Sequence, residues 1–120
     1  MMHELSVCSA LLDQVARLAA RHGASGVSMV SLRLGPLSGI EPALLRAAYR
    51  EARRGTPAQD AELAIVEVPL RIACLRCGAA GDAALDRLSC AICGSGLTRL
   101  LSGDEMLLDS VDLVFPGQST

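Results

Sequence analysis

Four cysteines stand in two Cys-x-x-Cys pairs, Cys74-Leu75-Arg76-Cys77 and Cys90-Ala91-Ile92-Cys93, separated by twelve residues. The two-residue gap lets both sulfurs of a pair reach one ion. A glycine follows each pair, Gly78 and Gly94, where a knuckle needs a tight turn free of Cβ strain. The pattern points to four thiolates on one tetrahedral Zn(II). Four cysteines close the coordination sphere and leave no position for water or substrate, so such a zinc is structural rather than catalytic. Disulfides and a redox dithiol are the alternatives, but redox motifs usually come singly. Spacing alone leaves an iron–sulfur cluster open.

A second candidate lies at the start of the chain, Met1-Met2-His3-Glu4-Leu5-Ser6. A histidine close to a free amine is a chelator. The amine, the intervening deprotonated amides and the imidazole wrap one divalent ion in fused rings. The set is nitrogen-rich and near planar, which suits Ni(II) or Cu(II). With Met1 present, the amine, the amides of Met2 and His3, and the His3 imidazole fill four planar positions. With Met2 first, the shell is one donor short, which leaves a route for handing metal on, and the functional chain is expected to begin there. The plainer reading is a polar residue ahead of a helix, with Glu4 favourable near its positive end.

These groups must be positioned by a short chain. Its 120 residues suffice for one domain, or one domain and a small module. Apolar residues make up 51%, which rules out disorder, while aromatics reach only 2%, so the core must be built from Leu, Val, Ala and Ile. A net charge of -2 with almost no aromatics argues against nucleic-acid binding. No run approaches membrane-spanning length, and the N-terminus lacks a cationic leader region. Cysteines in metal spacing suit a reducing cytoplasm.

Residues 4–22 read as an amphipathic helix whose stripe is Leu5, Cys8, Leu11, Leu12, Val15, Leu18 and Ala19. Residues 27–35 alternate as a strand. Gly35-Pro36-Leu37-Ser38-Gly39 is a turn, and a second helix follows near 41–54, ended by Gly55. Residues 62–70, 97–101 and 106–114 read as strands, the last two joined by the turn Ser102-Gly103-Asp104-Glu105. The expected fold is α+β. A small α/β domain of two helices on a three-stranded sheet takes residues 1–70 and 97–120, and a zinc-ribbon-like module, 71–96, is inserted in it. Cys8 reads as a buried small hydrophobe and His22 as a helix-end cap. Glu41, Glu51, Glu62 and Glu67 read as solvated. No Gly-rich loop with a lysine cradles phosphate.

Taken together, several strings carry a resemblance. They are Met2-His3-Glu4-Leu5-Ser6, then Val30-Ser31-Leu32-Arg33-Leu34-Gly35-Pro36-Leu37-Ser38 with Glu41-Pro42, then the two knuckles with Gly78 and Gly94-Ser95. Ser102-Gly103-Asp104-Glu105-Met106-Leu107-Leu108 completes the set. Over about residues 2 to 114 the chain resembles the HypA/HybF family of hydrogenase maturation proteins, the nickel metallochaperones. The most specific part is the coincidence of Met-His-Glu with paired knuckles.

The resemblance implies a nickel-binding α/β domain beside the zinc module, and a carrier rather than an enzyme. It implies transient Ni(II) at His3, with Met2 and Glu4 adjoining, and structural Zn(II) at Cys74, Cys77, Cys90 and Cys93. The implied partners are a maturation GTPase and the [NiFe]-hydrogenase large subunit, and in some organisms the urease maturation proteins. Met1 ahead of Met-His-Glu, and the second-helix stretch Leu45-Arg46-Ala47-Ala48-Tyr49, where the family more often shows aromatics, are departures from the pattern. The competing class is a zinc-ribbon adaptor or nucleic-acid module without nickel handling, which the ribbon fits and the charge does not. A catalytic zinc enzyme would need an open coordination position and a general base, and the sequence supplies neither.

Overall fold

A computed structural model describes the backbone of residues 2–117 and the side chains of residues 4–117. The described chain forms two compact units. The first takes the chain up to Leu32, Ile40–Val66 and the segment from Leu107. The second takes Arg33–Gly39 and Glu67–Met106.

The first unit is built on helix α1 (Met2–Arg21) and helix α2 (Pro42–Ala52). Its three-stranded sheet has β1 (Gly26–Leu34) between β2 (Glu62–Glu67) and β6 (Met106–Val114). α1 turns Cys8, Leu11, Leu12, Val15 and Ala19 inward at three- and four-residue spacing, as one helical face must. It closes on Gly23, whose φ of 69° only glycine adopts freely, while the Ala24 N–H bonds back to the Ala19 carbonyl at 2.9 Å. α2 starts with Pro42 after Glu41, whose carboxylate accepts the Ala43 N–H at 3.2 Å. α2 buries Leu45 and Tyr49. β1 contributes Val27, Val30 and Leu32 to the core. The Cys8 thiol, fully buried, lies 3.6 Å from the Leu45 carbonyl it faces.

The helix start differs from the sequence reading in two ways. α1 begins at Met2, so the backbone of His3 lies within its first turn rather than ahead of it. The inward position one turn before Cys8 is held by Glu4, 4% exposed, while Leu5 of the expected stripe is 45% exposed. Spacing explains the swap: the row of Cys8, Leu12 and Val15, continued back by four residues, lands on position 4.

The second unit has its own antiparallel sheet, β4-β3-β5, with β3 (Arg71–Cys74) in the middle, β4 (Ala80–Asp82) and β5 (Thr98–Ser102). The segment after the second knuckle therefore pairs with β3, through Cys74 opposite Thr98 and Ile72 opposite Leu100. It does not enter the sheet of β1. Arg33–Gly39 joins this unit through the Val68 N–H on the Leu34 carbonyl (2.9 Å) and the Leu37 N–H on the Gly103 carbonyl (2.7 Å). Two glycines allow that approach. A Cβ on Gly35 would overlap the Gly103 carbonyl, and one on Gly103, at φ 123°, would stand 2.7 Å from Leu70. The Glu105 carboxylate fastens the turn by accepting the Gly103 N–H at 2.7 Å.

Candidate metal centre

The knuckles form where β3 ends and where the chain returns toward β5. In each, the glycine N–H closes on the carbonyl of the first cysteine, Gly78 to Cys74 at 3.1 Å and Gly94 to Cys90 at 2.9 Å. The glycines sit at φ 77° and 76°, which explains the residue type after each pair. Inside each turn two amides point at the first sulfur. Arg76 and Cys77 donate to Cys74 Sγ at 3.4 Å each, and Ile92 and Cys93 to Cys90 Sγ at 3.3 and 3.5 Å.

The two loops bring all four Sγ atoms within 4.8 Å of one another. Cys74 and Cys93 are 3.6 Å apart, as are Cys77 and Cys90. All four are free thiols, since a disulfide would need about 2.05 Å. A zinc–sulfur bond of about 2.3 Å sets tetrahedral sulfurs about 3.8 Å apart, so the cluster fits a structural zinc. Cys74 and Cys90 are buried and Cys77 and Cys93 exposed.

The electrostatics suit a thiolate site. Amide donation from Cys77 and Arg76 pulls Cys74 down to about 6. Amides of Cys93 and Ile92 likewise lower Cys90. The Ala79 N–H draws Cys77 down, but the crowding sulfurs, Cys90 foremost, push it up to about 11. Cys93 is also raised, with Cys74 against it and the Ser95 amide drawing it down. Two sulfurs are thus prepared as anions by the backbone, and the other two resist further charge unless a cation enters.

The other candidate residues are distributed as follows. The side chains of Met2 and His3, and all of Met1, lie outside the described residues. Glu4 is described. Its carboxylate accepts the Glu41 N–H at 3.4 Å and so ties the first turn of α1 to the start of α2. Burial raises its pKa, but the bonds from the Glu41 and Glu4 amides outweigh that and hold it below the usual value. Sequence reasoning missed this burial. Glu41 and Glu51, read as solvated, serve as the α2 cap and as an exposed partner of Arg54 at 3.4 Å.

Residues 2–113 match the family described as "Hydrogenase/urease nickel incorporation, metallochaperone, hypA". The chain belongs to the HypA family. It is 44% identical over 113 residues to the hydrogenase maturation factor HypA of Nitrosospira multiformis, covering 94% of this chain and 98% of that one. To its counterpart in Aquifex aeolicus it is 37% identical, covering 93% and 97%. The solution structure of the Ni metallochaperone HypA from Helicobacter pylori superposes with a TM-score of 0.67 at 27% identity, covering 93% of this chain and 97% of that one. A second HypA solution structure gives 0.72 at 28%, covering 95% and 98%. The mixed α+β fold and the four-cysteine cluster agree with that membership, and the role is that of a nickel metallochaperone in hydrogenase maturation. The adaptor and nucleic-acid alternative is not favoured.

Proposed function

We propose that this chain takes up Ni(II) through His3 and passes it to the [NiFe]-hydrogenase large subunit, working with a maturation GTPase and not itself catalysing a reaction. Delivery to urease maturation proteins is the same chemistry with another acceptor. Cys74, Cys77, Cys90 and Cys93 hold one Zn(II), which supplies folding energy and no reactivity. The reducing cytoplasm is where such thiolates persist.

The observation that carries the nickel reading is the helical start at Met2. The first four N–H groups of an α-helix have no intrahelical acceptor. The amides of Met2, His3 and Glu4 therefore stand at the one place in a helix where an amide can give up its proton to a metal without breaking a backbone bond. Glu4 contributes backbone, and its carboxylate, anchored on the Glu41 N–H, fixes that first turn.

His3→Ala tests the assignment. Nickel titration by calorimetry should lose its saturable Ni(II) event and hydrogenase maturation should fail in cells. One zinc per chain and the melting temperature should persist, because His3 lies outside the row that Cys8 and Val15 form in the core. A variant that still takes up one nickel with unchanged affinity would sink the assignment.

A further inference from the structure

We propose that the arginine face of α2 docks an acidic segment of a partner protein. A cavity of about 300 Å³ opens beside the helix, lined by Arg46, Tyr49, Arg50, Arg53, Glu62 and Leu63. Three guanidiniums meet one carboxylate there, in a chain whose net charge is -2. The positive charge is thus concentrated against the sign of the whole, which is the pattern of a surface that steers an anionic partner.

Two of the three arginines are held in place. Arg46 Nη1 donates to the Leu63 carbonyl at 2.8 Å, and Arg53 Nη1 to the Ala61 carbonyl at 3.1 Å. The Arg53 guanidinium also lies 5.8 Å from the Tyr49 ring centroid, and the Tyr49 hydroxyl is fixed on the same Ala61 carbonyl at 3.0 Å. A guanidinium carries five N–H groups, so each anchored fork keeps donors for a second acceptor. Little rotamer freedom remains for it to lose on binding. Arg50 is exposed between them.

The geometry favours a peptide. Positions 46, 50 and 53 run along about 10 Å of one helix face, longer than a single phosphate can bridge. Alternate residues of an extended segment are about 7 Å apart and can set carboxylates against two of the three arginines. Single-stranded nucleic acid needs an exposed ring on which to stack. The ring here, Tyr49, is 2% exposed and serves as floor.

The test uses the full, zinc-loaded chain and a fluorescently labelled peptide of alternating Glu and Ser, followed by anisotropy. Saturable binding that weakens with added salt is expected, and the Gln–Ser counterpart should not bind. Arg50→Glu should weaken binding about tenfold, while Arg50→Lys keeps most of it. Melting and zinc content should match the parent in both, since Arg50 is exposed, and Arg50→Gln serves as a second variant with a smaller loss. Inorganic phosphate and a single-stranded RNA oligonucleotide should fail to displace the peptide. The proposal falls if Arg50→Glu and Arg50→Gln bind the peptide as well as the parent does. It falls equally if phosphate or the RNA displaces the peptide as readily as unlabelled peptide.

Discussion

The two units solve the problem of holding a chain together by different means. In the first, Cys8, Val15, Val30, Leu32 and Leu45 are fully buried, and two helices and a sheet share them. In the second, the buried set is short. It includes Leu34, Val68, Leu70 and Ile72, together with Cys74 and Cys90. Leu75, Leu85, Leu88, Ile92 and Leu97 are all exposed there, Ile92 at 78%. Two of its knuckle cysteines, Cys74 and Cys90, take interior positions that are filled mainly by aliphatic groups in the first unit. The first unit carries its stability in apolar area removed from water. In the second, a cation at the four sulfurs would turn mutually repelling thiolates into a centre of cohesion.

The largest effect should come from taking away a sulfur. Cys90→Ala removes a buried ligand that two amides and a neighbouring thiol already address. Structural zinc contributes on the order of 10 kcal/mol to such sites. Zinc content should fall from one per chain to none, and hydrogen exchange should show protection lost across β3, β4 and β5. Amides of α1, α2 and β1 should keep theirs. A variant that loses its zinc yet keeps its protection in β3 would show that apolar packing, not metal, sustains the second unit; one that keeps full zinc would show that Cys90 is not a ligand.

The converse change is smaller. Leu45→Ala empties a fully buried site in α2 and should cost about 2–5 kcal/mol. Chemical denaturation followed through helix content should register the loss, with zinc stoichiometry intact. If zinc release accompanied it at the same denaturant concentration, the two units would unfold as one, and the contrast between them would be one of composition only.

Local patterns carried much of this design. The knuckles and their glycines were legible because ligand spacing and turn chemistry are properties of four to six adjacent residues. The stripe of α1 was legible from its period. Burial of Glu4 was not, because polarity argued for solvent. Only the position one turn ahead of Cys8 hinted at the interior, and the compensating donor, the Glu41 N–H, is 37 residues away. The pairing of β5 with β3 was likewise hidden. Residues 97–101 have the composition of any strand, and their partner is chosen by the closing of the knuckles. Gly35 and Gly103 each read as ordinary turn glycines, while their contact joins two turns distant in sequence.

The smallest expected effect separates the two kinds of cysteine. Cys74 and Cys90 are drawn toward the thiolate by amides, whereas burial, aided by the charge of Glu4, pushes the Cys8 thiol up to about 11. At neutral pH Cys8 should resist alkylation in the folded chain, while the knuckle cysteines react once a chelator has removed the metal. The same shift has a thermodynamic sign. The folded state holds the Cys8 proton more tightly than the unfolded state, whose value is near 9.0. The resulting stabilisation is complete below about pH 9 and is lost as pH rises toward 11, amounting to at most about 2–3 kcal/mol. Tyr49 is also raised by burial, with Arg53 opposing and Cys8 adding, so its contribution too is lost as pH rises. Cys8→Ser separates them. A serine hydroxyl can donate to the Leu45 carbonyl that the thiol now faces, and it does not ionise there. Denaturation midpoints between pH 8 and 10.5 should fall more steeply in the parent than in the variant. Equal slopes would assign the alkaline loss to Tyr49 and leave Cys8 as a packing group alone.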